Sequence, residues 1–142
     1  MIKDLVHRNA MAVLFTAKHL PEVGLETIEV KALGGNLFRI RTRLANTKAM
    51  PTMSYLAQKT NLYPKDMLKV SGTGAKVVAG GLLLDPYRDQ VAYRKDRPEV
   101  QFLVVPGFGK VEHQFLVEGK GEVTLRYESR HGGKIVKTVK LE

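Results

Sequence analysis

Cysteine is absent from the 142 residues, which removes disulfides, thiolate zinc sites and cysteine nucleophiles together. Low-complexity tracts and internal repeats are missing too, and no apolar run approaches the length of a membrane span, so no membrane-spanning segment is expected. What remains is the composition of an ordinary globular domain, 44% hydrophobic and 26% charged, long enough for one core. The net charge of +9 invites a phosphate-binding reading, but the basic residues are spread over the whole chain. Residues 1–46 carry 7 basic against 4 acidic side chains, 47–106 carry 9 against 5, and 107–142 carry 7 against 5. With no basic tail or cluster along the sequence, a nucleic-acid partner is not expected.

Residues 10–17, AMAVLFTA, follow a slightly basic start, as in a secretory leader, but Asp4 and the KHLPEV context favour an amphipathic helix. Asp4 is expected to cap that helix over about residues 5–19, and Pro21 to end it. Its apolar face, carried by Ile2, Leu5, Val6, Val13 and Leu20, is broadened by Met11, Leu14 and Phe15. So much apolar surface on one short helix calls for a cover.

From residue 25 the period changes to two. Ile28 and Val30 share a face, GGN turns the chain, and Phe38, Ile40, Thr42 and Leu44 then alternate with Arg39, Arg41 and Arg43. The pattern predicts a half-buried hairpin with a basic outer row. Ser54 is placed to cap a short helix near 54–60. Strand signals resume at MLKVSG, AKVVAGGLLL and VQFLVVPG, and continue in KVEHQFLVEG, GEVTLRYESR and GKIVKTVKLE, with turns expected at GKG and HGG. The expected fold is mainly β, an antiparallel, immunoglobulin-like β-sandwich of about seven strands behind one N-terminal helix. In the last strand Lys137 shares a face with Ile135, Val139 and Leu141, which predicts a bulge or an edge position.

Candidate sites are few. His19 and Glu22 in HLPE have the His-x-x-Glu spacing of many zinc hydrolases, but Pro21 lies between them and a hydrolytic zinc needs a third protein ligand. His7 is on the same helix, His113 lies in the apolar row Val111, Phe115, Val117, and His131 is in a glycine turn. Neither GTGAK at 72–76 nor GFGK at 107–110 has the pattern of a phosphate loop or opens a helix. No catalytic, cofactor-binding or metal-binding residue is therefore assigned. Two stretches remain as candidate contact surfaces. One is the row Arg39, Arg41 and Arg43; the other is the polar excursion 85–99, with Tyr87, Arg88, Tyr93, Arg94 and Arg97.

The runs HRNAMAVLFTAKHLPEV, VKALGGNLFRIRTRLANTKAMPT and FLVEGKGEVTLRYESRHGGKI resemble the C-terminal region of large bacterial zinc metallopeptidases of the carboxypeptidase A type. The resemblance covers the chain from about His7 onward. It implies that residues 1–22 are the tail of a peptidase domain's last helix plus a linker, and that 23–142 form a non-catalytic accessory β-sandwich. Zinc and the hydrolase chemistry would then belong to the parent catalytic domain, with no cofactor in this segment. Implied partners are that peptidase domain and peptide or cell-wall material, and the implied location is periplasmic or extracellular, that of a secreted protein. The rival reading from the residues alone is an autonomous binding module for an acidic polymer or a peptide strand.

Overall fold

The computed structural model describes residues 1–141. Helix α1 (Ile2–Lys18) is followed by strands β1 (Val23–Gly34) and β2 (Leu37–Asn46), short helix α2 (Tyr55–Thr60), then β3 (Asp66–Asp85), β4 (Gln90–Tyr93), β5 (Val100–Leu103), β6 (Lys110–Ser129) and β7 (Gly133–Leu141). The chain is thus mainly β, with seven antiparallel strands among the described residues and two helices, as its period-two patterning predicts.

Helix α1 starts three residues earlier than expected. Met1 takes the cap position, so Asp4 falls inside the first turn and makes no side-chain cap; an acid there is still favoured by the positive end of the helix. Ser54 does cap α2, its Oγ accepting from the Ala57 amide at 3.2 Å, and Asn61 ends that helix in the left-handed region at φ 49°.

Two expected reversals are corrected. MLKVSG and AKVVAGGLLL are one strand, β3, and KVEHQFLVEG and GEVTLRYESR are one strand, β6, each of 20 residues. The polar stretch 85–99 also contains a strand, β4, which pairs with the second half of β3. β3 and β6 pair along almost their whole length, from Met67↔Glu128 to Leu82↔His113, and bend together where Gly74 faces Gly119 and Gly121. Those three glycines have φ of 81°, 126° and 114°, and a Cβ on Gly119 would strike the Gly74 carbonyl and Ala75 Cα. Glycine therefore accommodates the irregularity at which the β3–β6 register shifts between Thr73 and Ala75.

On one side of the bend the order is β1-β2-β6-β3-β4; on the other, β5 pairs with β3 and β7 with β6. Both halves point alternate residues into one core: Phe38, Ile40, Phe115 and Val117 from the first, Leu68, Val70, Val123, Leu125 and Tyr127 from the second. The Tyr127 hydroxyl donates to buried Asp66 at 2.8 Å, and burial together with that carboxylate pushes the phenol pKa well up. Lys137 is half-buried on β7, opposite Leu125, with strand position rather than a bulge accommodating it.

The connection after β2 is pinned by Asn46. Its Nδ2 donates to the Met50 and Pro106 carbonyls, and its Oδ1 accepts from the Glu22 and Lys48 amides at 3.2 and 3.0 Å. Thr52 then pairs with Val105 through backbone and hydroxyl. These bonds satisfy an irregular segment that ladder bonding cannot reach.

Candidate functional site

The arginine row lies where alternation places it, on the face of β2 turned away from the core, but it is not an open basic surface. Arg41 on β2 stands in one cross-strand row with Glu29 of β1, Gln114 of β6, Gly81 of β3 and Tyr93 of β4. Gly81 contributes no side chain to that row. Arg41 Nε donates to Gln114 Oε1 at 2.8 Å, and Gln114 Nε2 donates to the Tyr93 hydroxyl at 3.0 Å.

The β3–β4 turn folds back over this face. Asp89 at its tip pairs with both Arg39 (3.4 Å) and Arg41, while Glu29 takes the other side of the same guanidinium groups at 3.0 and 3.4 Å. Two carboxylates thus neutralise two arginines, whose side chains are 16% and 13% exposed. Arg43 is held by Glu112 at 2.8 Å, which Lys110 also approaches at 3.2 Å. Burial alone would raise the Glu112 pKa; the hydrogen bonds and charges of Arg43 and Lys110 together outweigh it and hold the carboxyl below its usual range. The two candidate surfaces are therefore one ion-paired assembly. Tyr87 and Arg88 stay fully outward on the turn, and Arg94 leaves the sheet to lie over the Phe102 ring, 4.9 Å from its centroid.

Asp89 has φ 51°, a conformation that Asn shares with little strain. Asp89→Asn therefore removes the charge and keeps the turn. The expected result is faster amide exchange over residues 86–91 and a loss of about 1 kcal/mol in urea unfolding, since the carboxylate is partly solvated. Unchanged exchange would show that the turn does not depend on its charge.

His19 and Glu22 are not brought together. His19 ends α1, its Nδ1–H donating to the Phe15 carbonyl at 2.8 Å and its ring lying 4.3 Å from that of Phe15. Glu22 pairs with Lys48 at 3.3 Å. Among the described residues no three His, Asp or Glu side chains converge. GTGAK lies inside β3, and GFGK is a turn that leads into β6, with Gly107 against the Ala49 carbonyl.

Sequence reasoning missed a second surface. On the outward side of the β5-β3-β6-β7 half, Tyr63, Pro64, Met67 and Phe102 floor a groove of about 390 Å³, walled by Lys65, Glu128, Arg130 and Lys134. Arg130 stacks over Tyr63 at 5.1 Å and the His131 ring meets Tyr63 edge-on at 5.3 Å. Three stretches of the chain contribute, 63–67, 102 and 128–134, so no local pattern announces it.

Helix α1 makes the third surface. Every one of its residues is exposed, including Ile2, Leu5, Val6, Val13, Leu14 and Phe15. Among the described residues no helix is long and apolar enough to cross a membrane.

Residues 22–140 match the model of a family described as a domain of unknown function, DUF8731, which covers the β body and leaves α1 outside. A search of curated proteins returned no match.

Proposed function

We propose, from the premise that this chain belongs to the DUF8731 family of domains of unknown function, that it is a non-catalytic accessory β domain held to a larger partner through helix α1. The observation that carries this is the helix itself. Seventeen residues with an apolar stripe, every residue exposed, lose hydrophobic free energy to water at about 25 cal/mol per Å² unless another surface covers them. The β body covers none of it: every residue of α1 is exposed, and the body meets the chain only past the helix, where the Met50 amide donates to the His19 carbonyl.

In its finer form the reading follows the resemblance of HRNAMAVLFTAKHLPEV and its neighbours. The partner is the peptidase domain of a zinc carboxypeptidase-type protein, α1 is the end of that domain's last helix, and the β body orients substrate entry or contacts peptide or cell-wall material outside the cytoplasm. The zinc and every catalytic group belong to that partner.

An antibody against the β body tests this in the native organism. The expected antigen is a polypeptide several times the mass of this chain, with zinc-dependent carboxypeptidase activity in the precipitate. In that polypeptide the amides of α1 exchange slowly, whereas in the isolated chain they exchange fast. A native product of 142 residues, or a larger one in which α1 remains unprotected, overturns the reading.

A further inference from the structure

The charge that is spread along the sequence is gathered by the fold. The outward rows of the second half-sheet run Phe102–Met67–Glu128–Lys134 and Val100–Lys69–Arg126–Val136 across β5, β3, β6 and β7. With the groove walls and the outward row Thr73–Glu122–Lys140, this face holds Lys65, Lys69, Arg94, Arg126, Arg130, Lys134 and Lys140 against two carboxylates among the described residues, Glu128 and Glu122. Seven cations to two anions leave a surplus of five, more than half of the chain's net +9. Glu128 is already shared between Arg126 (2.5 Å) and Lys134 (4.0 Å). The opposite face, by contrast, pairs its arginines with Glu29, Asp89 and Glu112.

Within the cations lie two aromatic rings, Tyr63 and Phe102, the latter 51% exposed. The next cross-strand row on the same face is Ser71–Thr124–Thr138, three hydroxyls in line. We propose that this face binds an acidic polysaccharide, with sugar rings against Tyr63 and Phe102, carboxylates on Lys65, Arg130, Lys134 and Lys69, and sugar hydroxyls on the Ser71–Thr124–Thr138 row. Lys69 of β3 and Arg126 of β6 stand opposite one another on neighbouring strands about 4.8 Å apart, so these two cations are placed to meet carboxylates that follow closely along one chain. Single-stranded nucleic acid shares the charge but reads differently: it stacks bases on open aromatic faces. Here the surface beyond the two rings continues in hydroxyls instead of further rings. The inference does not depend on what covers α1.

The test titrates the full chain with polygalacturonate, with an uncharged galactan of equal length, and with single-stranded DNA of equal charge. Polygalacturonate is expected to bind, weakening steeply with salt, and the galactan to bind far less. The double reversal Lys65→Glu/Lys134→Glu should weaken polygalacturonate about tenfold or more, and Phe102→Ala several-fold at unchanged salt slope, since it removes a ring and no charge. Lys31→Glu, an exposed residue of β1, should change affinity little. Circular dichroism establishes that each variant is folded. No binding of polygalacturonate at low salt, full binding by the folded double reversal, or tighter DNA binding that Phe102→Ala abolishes would each overturn the proposal.

Discussion

Phe115→Ala is expected to cost about 3–5 kcal/mol in denaturant unfolding, with an unchanged m-value. Phe115 is fully buried on β6, opposite Ile40 of β2 on one side and Gly80 of β3 on the other. Its ring fills the space that a side chain at residue 80 would take: a Cβ there meets the ring at 2.8 Å and collides with the Pro98 carbonyl oxygen. Glycine at 80 thus lets one large ring close the core beneath the segment that carries Arg94 to Phe102. Truncation empties that space, and the ladder-bound backbone around it cannot collapse to refill it. Against a total stability of about 5–15 kcal/mol for such a domain, the loss brings it near its unfolding threshold. Gly80→Ala overfills the same place and should cost about 1–3 kcal/mol. A loss below about 1 kcal/mol for Phe115→Ala would mean that the shared core is not where the stability resides.

These positions show what a sequence makes legible. Phe38, Ile40, Thr42 and Leu44 alternate with three arginines, and the burial of β2 follows that alternation residue by residue. Period two is a local property, so the inward and outward assignments of β2 and of the first half of β6 could be read directly; β1 departs from its expected alternation, because a bulge between Thr27 and Glu29 sets Thr27 opposite buried Thr42 and leaves Ile28 exposed. GTG and GKG could not. Each looks like a chain reversal, and becomes a bend because its partner strand bends opposite it, across more than forty residues of sequence. The arginine row has the same history. Its spacing marks a solvated basic face, but its charge is cancelled by Asp89, nearly fifty residues away, in a turn whose return path the sequence does not encode locally. The basic groove is the converse case: Lys65, Phe102, Arg130 and Lys134 are unremarkable in sequence and adjoin only through the pairing of β5, β3, β6 and β7. The helix stripe is legible in the sequence, and in the fold every residue of it is exposed.

Stability is expected to fall by about 3 kcal/mol as pH drops from 6.5 to 4, and His113→Leu should abolish most of that fall. His113 points into the core from β6, with Thr42 and Leu82 as its cross-strand neighbours and the Phe115 ring 6.4 Å away. Burial with no carboxylate beside it lowers its pKa from 6.5 to about 4. Above pH 6.5 the imidazole is neutral in folded and unfolded chains alike and contributes no pH dependence. Between 6.5 and 4 the unfolded chain takes up a proton that the folded chain refuses, so each pH unit removes about 1.4 kcal/mol. Below 4 both states carry the proton and the slope ends. Glu112 works in a lower window: its folded pKa is depressed from 4.5, so its contribution is present above 4.5 and is lost as pH falls through the folded value. The interval from 6.5 to 4.5 therefore isolates His113 from that carboxylate. His113 Nδ1 and the Thr42 hydroxyl are both buried without a hydrogen-bond partner, so the leucine variant also removes an orphaned polar atom and should be no less stable at pH 7.5. An unchanged slope in His113→Leu would place the acid sensitivity elsewhere, and a large loss at pH 7.5 would mean that the imidazole makes a bond in the core that leucine cannot replace.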